Sequence, residues 1–109
     1  MIYIGSDHGG FRLKQDLIKD LKERGFVVED TGTYDEKPVD YPDIAESLCQ
    51  KIKTNGDLGI LICGTGIGMS IAANKIKGIR AALCCDSYSA KMARAHNDAN
   101  VLVLGGRVI

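Results

Sequence analysis

The sequence has no excess charge of either sign: 14 Lys and Arg stand against 14 Asp and Glu in 109 residues, and the formal net charge is zero. Acidic and basic residues are interleaved, and no basic run exists to track a phosphate backbone, which argues against a nucleic-acid partner. Any attraction to an anionic ligand must therefore be local. Long hydrophobic runs are missing as well, and the longest falls far short of the roughly 20 apolar residues of a membrane helix. The N-terminus, Met1-Ile2-Tyr3-Ile4, turns polar at Ser6-Asp7-His8, unlike a signal peptide. None of the four cysteines, Cys49, Cys63, Cys84 and Cys85, has a Cys-x-x-Cys partner, and the two histidines are far apart. A zinc site is not expected. Reduced thiols and a cytoplasmic location are. Repeats, low-complexity tracts and linkers are also lacking, so residues 1–109 are expected to form one domain, large enough for its own core.

What is present is an alternation of apolar runs and helical periods. Residues 2–5 predict a first strand, and the Leu13, Leu17, Ile18, Leu21 stripe predicts a helix from Phe11 to Arg24, stopped by Gly25. Phe26 to Val28 reads as a second strand, followed by a polar loop from Thr31 to Tyr41. Pro42 suits the first turn of the next helix. In that helix Ile44, Leu48 and Ile52 repeat at helical spacing, with Asp43 and Glu46 early and Lys51 and Lys53 late, as the helix dipole favours. Leu58 to Cys63 is a continuous apolar run, as in a strand buried on both faces. The glycine-rich turn 64–68 leads into a short helix through Ile76. Ile79 to Cys85 then reads as the fourth strand, Ser87 to His96 as the fourth helix, and Val101 to Leu104 as the fifth strand. Such alternation predicts a three-layer α/β/α, Rossmann-like fold with a five-stranded parallel sheet and right-handed crossovers. Ligands in such sheets sit beyond the carboxyl ends of the strands, where the strand order reverses. A strand order beginning 2-1-3 would put that point between the first and third strands.

The unusual residues follow those two strands. After the third come Cys63-Gly64-Thr65-Gly66-Ile67-Gly68. Glycines let the backbone approach a ligand, and the free N–H groups of a helix start favour an anion. The spacing is Gly-x-Gly-x-Gly, which disfavours a dinucleotide cofactor; the remaining readings are an anion or oxyanion cradle and a tight turn without a ligand. Cys63 precedes the cradle, where the positive helix end favours a thiolate, against the alternative of a small core hydrophobe. Asp7 and His8 follow the first strand and either cap the next helix or face the same crevice as Cys63. His96 and Asn97 end the fourth helix, where a histidine is commonly a cap. That helix end feeds the start of the fifth strand, so His96 is not expected to reach the Cys63 of its own chain. Arg107 is a phosphate-binding cation or a solvated one.

Together these residues resemble the ribose/galactose isomerase family. The resemblance runs through Ser6-Asp7-His8, Asp40-Tyr41-Pro42, Cys63 to Gly68, Ala72-Ala73-Asn74-Lys75, His96 to Val101 and Gly106-Arg107, and covers essentially the whole chain. It implies interconversion of an aldose phosphate and a ketose phosphate through an enediolate, without metal or redox cofactor. Ribose 5-phosphate leads among the substrates, with galactose 6-phosphate and allose 6-phosphate as alternatives. By the same resemblance Cys63 is the base, the amides of Gly64, Thr65, Gly66, Ile67 and Gly68 hold the enediolate oxygen, and His96 opens the furanose ring. Asp7, His8, Asn97 and Arg107 match substrate-binding positions, and Tyr41 lines the pocket. Some members carry a glutamate base farther along the glycine loop, but here Met69 follows Gly68. Members also continue past the fifth strand with a helical segment bearing further arginines, whereas this chain stops at Ile109. Apolar surface on the fifth strand is then expected to lack a cover. The implied assembly is a homodimer with shared sites, or a tetramer. Two other classes compete: a phosphosugar-binding module without turnover, and a Rossmann-like cofactor enzyme.

Overall fold

A computed structural model of the chain describes residues 1–109, the side chains of residues 53–55 excepted, so Lys53 lies outside the described side chains. The elements are β1 (Ile2–Ser6), α1 (Phe11–Glu23), β2 (Val28–Asp30), α2 (Tyr41–Asn55), β3 (Leu58–Cys63), α3 (Ile67–Asn74), β4 (Ala81–Leu83), α4 (Ser87–Asn97) and β5 (Val101–Gly105), with a 3-10 turn over His8–Gly10. All strand pairs are parallel, in the order β2-β1-β3-β5-β4. The order reverses between β1 and β3, as the sequence suggested. Among the described residues no helix is long and apolar enough to cross a membrane.

The main core lies on one face of the sheet, where Ala45, Leu48, Cys49 and Ile52 of α2 and Met69 and Ala73 of α3 meet Tyr3, Leu61, Cys63, Val101 and Val103. Burial there pushes the Cys49 thiol up to about 11. The opposite face carries α1 and α4. On it Leu102 and Leu104 are only half-buried, while Val101 and Val103 on the core face are at most 1% exposed. Both leucines still have partial cover, and neither is among the exposed large apolar residues.

Three boundaries differ from expectation. The second strand is Val28–Asp30 instead of Phe26–Val28, pairing Ile2 with Val28 and Ile4 with Asp30. Phe26 and Val27 are more than half exposed. On this edge strand the polar Glu29 and Asp30 are tolerated, because each pairs with a lysine, Lys51 and Lys14 respectively. The third helix ends at Asn74 and takes Gly68 into its first turn, and Ile76 lies in the turn beyond it. The fourth strand shrinks to Ala81–Leu83, because Ile79 N–H bonds back to Ile76 before the strand begins.

The α1 stripe also changes character. Its one fully buried residue is Lys14, on the same helical face as Leu17, Ile18 and Leu21. Lys14 Nζ lies 2.6 Å from Asp30 Oδ2 and 3.2 Å from Gln15 Oε1, and about 5–6 Å from the Phe11 and Tyr34 ring centres. A buried ammonium needs such a partner, since stranding it would be costly. The pair locks α1 to the end of β2.

Candidate active site at the carboxyl ends of β1, β3 and β5

Three loops converge beyond the sheet. The first leaves β1: Asp7, nearly buried, accepts the Gly9 N–H at 2.8 Å and so caps the 3-10 turn. The capping reading of Asp7 therefore holds, whatever else it binds. His8 is half-buried, and its Nδ1 accepts a long 3.4 Å hydrogen bond from the Val39 N–H. An acceptor at Nδ1 leaves Nε2 to carry the proton of a neutral ring.

The second loop leaves β3. Cys63 is 5% exposed and its Sγ accepts the Gly66 N–H at 3.1 Å. Gly66 makes this bond possible: its φ of +84 suits glycine, and a Cβ there would stand 2.4 Å from Leu83 Cδ1. Thr65 Oγ1 accepts the Ile67 N–H at 3.2 Å, and Ile67 opens α3. The ring of Tyr41, at the start of α2, lies against Gly68, where a Cβ would come within 2.7 Å of its Cζ.

The third loop leaves β5 and interlocks with the other two. Gly106 N–H donates to Cys63 O at 2.7 Å and Arg107 N–H to Gly64 O at 2.9 Å. A Cβ on Gly106 would meet Gly9 O at 2.7 Å, so the β5 and β1 loops touch backbone to backbone. The Arg107 guanidinium lies over Gly64, with Nη1 3.0 Å from where a Gly64 Cβ would be. Gly106 and Gly9 are thus structural partners of the site that sequence reasoning left without a role. The signal was the pair of double glycines, Gly9-Gly10 and Gly105-Gly106, each directly after a strand.

The structure therefore brings together Asp7, His8, Tyr41, Cys63, residues 64–68 and Arg107. It does not bring His96 and Asn97. Both are exposed at the carboxyl end of α4, which leads into the start of β5. Cys63 pairs in register with Gly105, the last residue of β5. Five strand residues at about 3.3 Å each leave His96 about 16 Å from that level, measured along the strands.

Comparison with known proteins agrees with this architecture. The family described as Ribose/Galactose Isomerase matches residues 2–109. Ribose-5-P isomerase B of Listeria innocua is 53% identical over 109 residues, which cover 99% of this chain and 74% of that protein. A solved ribose-5-phosphate isomerase B from Clostridium thermocellum superposes with a TM-score of 0.97 at 55% identity, covering 99% of this chain and 74% of that one. The enzyme of Mycoplasma genitalium, solved with bound ribulose-5-phosphate, gives a TM-score of 0.93 at 48% identity, covering 99% of this chain and 73% of that one. With residues 2–109 matched and relatives this similar along nearly its whole length, the chain belongs to the ribose/galactose isomerase family.

Proposed function

We propose that this protein interconverts ribose 5-phosphate and ribulose 5-phosphate through an enediolate, with Cys63 as the base. The observation that carries the reading is the sulfur of Cys63 held by the Gly66 N–H at the strand order's reversal point, beside Asp7, His8 and Arg107. Relatives at about half identity are ribose-5-phosphate isomerases, and one of them was solved with the ketose bound. The reaction is redox-neutral. The C2 proton of the aldose passes to sulfur and returns at C1, while a hydroxyl proton moves from O2 to O1. Neither oxidant nor reductant is consumed. The amides of the 64–68 loop other than those already donating to Cys63 and Thr65 stabilise the enediolate oxygen, where donors fixed in advance are most effective. Arg107 takes the phosphate as a planar guanidinium suited to it, and Asp7, His8, Tyr41 and Asn97 hold the sugar.

The ring-opening acid is His96, supplied by a second copy of the chain. Within one chain His96 stands at the wrong end of β5, and a twofold dimer that sets each α4 end over its partner's β3 loop removes the conflict. The apolar residues Ile67 and Ile71, both more than half exposed on α3 next to the site, suit such an interface. Turnover of ribose 5-phosphate, measured beside galactose 6-phosphate and allose 6-phosphate, tests the substrate. Mixing Cys63→Ala and His96→Ala proteins tests the shared site. After random exchange of equal amounts, half the dimers are mixed and each has one intact site, so about a quarter of parent sites should return. No recovery, with exchange confirmed, would return His96 to a helix cap.

A further inference from the structure

Helix α4 is an anomaly among the helices, since it buries none of its residues. Core packing normally fixes a helix far more than its own propensity does, so α4 must be placed in another way. Its amino end is capped by Asp86, which accepts the Ser89 N–H at 2.7 Å and the Ser89 hydroxyl at 3.1 Å. At its carboxyl end stands Asp98, a non-glycine residue at φ +51 and ψ 40. Its carboxylate lies 3.4 Å from Arg80 Nη2 and 3.3 Å from Arg94 Nη1. Arg80 Nε donates to the Asp98 carbonyl at 2.6 Å, and Arg94 Nη1 donates to the carbonyl of Ala99. Asn100 completes the cluster: its Oδ1 accepts the Arg80 N–H at 2.8 Å and its Nδ2 donates to Gly78 O at 3.1 Å. The entry to β4 and the exit of α4 are thereby joined across 18 residues of sequence.

This cluster lines a cleft of about 400 Å³ at the amino ends of the strands, with Asp57 and Leu58 opposite. Arg80 spends its Nε, Nη1 and Nη2 on Asp98 and on Gly78 O, and Arg94 spends its Nη1 on Asp98 and Ala99. Cations already satisfied in this way act as a clamp and not as an anion site.

We infer that Arg80 and Asp98 are positioning residues for catalysis: they fix the α4 terminus and thereby aim His96 and Asn97, which precede Asp98 directly, at the site of the partner subunit. The inference rests on the shared-site reading above. Asp98→Gly separates the clamp from the backbone, because glycine adopts a positive φ without strain while the carboxylate is lost. Were Asp98 only a helix cap, this exchange would be neutral. As a clamp residue it should lower kcat about tenfold to a hundredfold, the scale of a misplaced catalytic group, with a smaller rise in KM from the displaced Asn97.

Complementation supplies the readout that a merely structural role would not move. Asp98→Gly mixed with Cys63→Ala should recover about a quarter of parent sites, since one site of each mixed dimer has an intact Cys63 and a well-placed His96. Asp98→Gly mixed with His96→Ala should show no gain over the average of the two separate proteins. Arg80→Gln, which leaves the sequence of α4 untouched, should sort in the same way and serves if Asp98→Gly fails to fold. Near-parent activity of the folded variants, or recovery with His96→Ala, would overturn the inference while leaving the shared site standing. Failure of the Cys63→Ala and His96→Ala control pair would overturn the shared site and the trans role of the clamp with it.

Discussion

Replacing Cys63 by alanine separates what the sulfur does for the fold from what it does for the reaction. The side chain is 5% exposed and its hydrogen bond among the described residues is the 3.1 Å contact from Gly66 N–H. Removing it strands one buried donor, at a cost of about 1–3 kcal/mol. That is tolerable in a domain whose net stability is about 5–15 kcal/mol. Loss of a general base costs about 10²–10⁴-fold in rate, which is about 3–5 kcal/mol of barrier. Cys63→Ser refines the test. A hydroxyl can still accept from Gly66 and should restore most of the stability, yet it ionises far less readily than a thiol and should leave turnover as low as in the alanine variant. The assay is conversion of ribose 5-phosphate in heavy water, with helical content and melting temperature measured in parallel. The parent should place solvent deuterium on the product carbon, and both variants should lose turnover by at least a hundredfold. Near-parent turnover from folded Cys63→Ala would refute the assignment of the base. Complete absence of solvent label in the parent product would count against the enediolate.

Gly68→Ala keeps the amide of the cradle but drives a Cβ to within 2.7 Å of the Tyr41 ring. Alanine favours a helix by about 1 kcal/mol over glycine, so stability should hold or rise. KM should increase about fivefold at similar kcat, as for a loss of uniform substrate binding worth about 1 kcal/mol; an unchanged KM would remove Tyr41 from the pocket. For Asp86, the Ser89 N–H, followed by the Ser89 hydroxyl, holds the carboxyl below its ordinary value. A depressed folded value means that the cap stabilises α4 above the unfolded carboxyl range, near pH 4, and that this support is lost as pH falls through the lower folded value. Protection of the α4 amides, corrected for the intrinsic exchange rate at each pH, should therefore fall on acidification in the parent but lose most of that pH dependence in Asp86→Asn, whose cap stays neutral. Identical acid profiles would show that the cap does not hold the helix.

What the sequence made legible follows from which forces act locally. Strand β3 was readable to the residue because its run from Leu58 to Cys63 is unbroken and apolar, with Leu61 to Cys63 buried and only Leu58, at the strand's start, exposed. The second strand was misplaced because Phe26 and Val27 are apolar yet exposed, while the residues that pair, Val28 to Asp30, end in two acids. Their charge is neutralised by lysines 16 and 22 positions away, which no local pattern announces. Lys14 shows the same limit from the other side, since helical spacing put it on the apolar face without saying that the face held an ion pair. At the site, the loops after β1, β3 and β5 were legible through their glycines and the position of Cys63. The clamp on α4 was not, because Arg80 and Asp98 meet only after β4 and β5 have paired.

The zero net charge, which requires any attraction to an anionic substrate to be local, acquires a sharper meaning once the pairings are known. Of the five arginines, Arg12, Arg24, Arg80 and Arg94 each pair with a carboxylate. Arg107 has no carboxylate partner among the described residues, and it stands over Gly64 at the mouth of the site. The amino end of α3, which starts at Ile67, follows directly on the loop that Arg107 covers. A guanidinium already occupied by Asp or Glu would have to break that pair before it could take a phosphate, and the exchange would gain little. Pairing of the other arginines within the fold therefore leaves Arg107 as the arginine without a carboxylate partner among the described residues, close to the amino end of α3. A chain without net charge can in this way still present a local cationic group to a dianion.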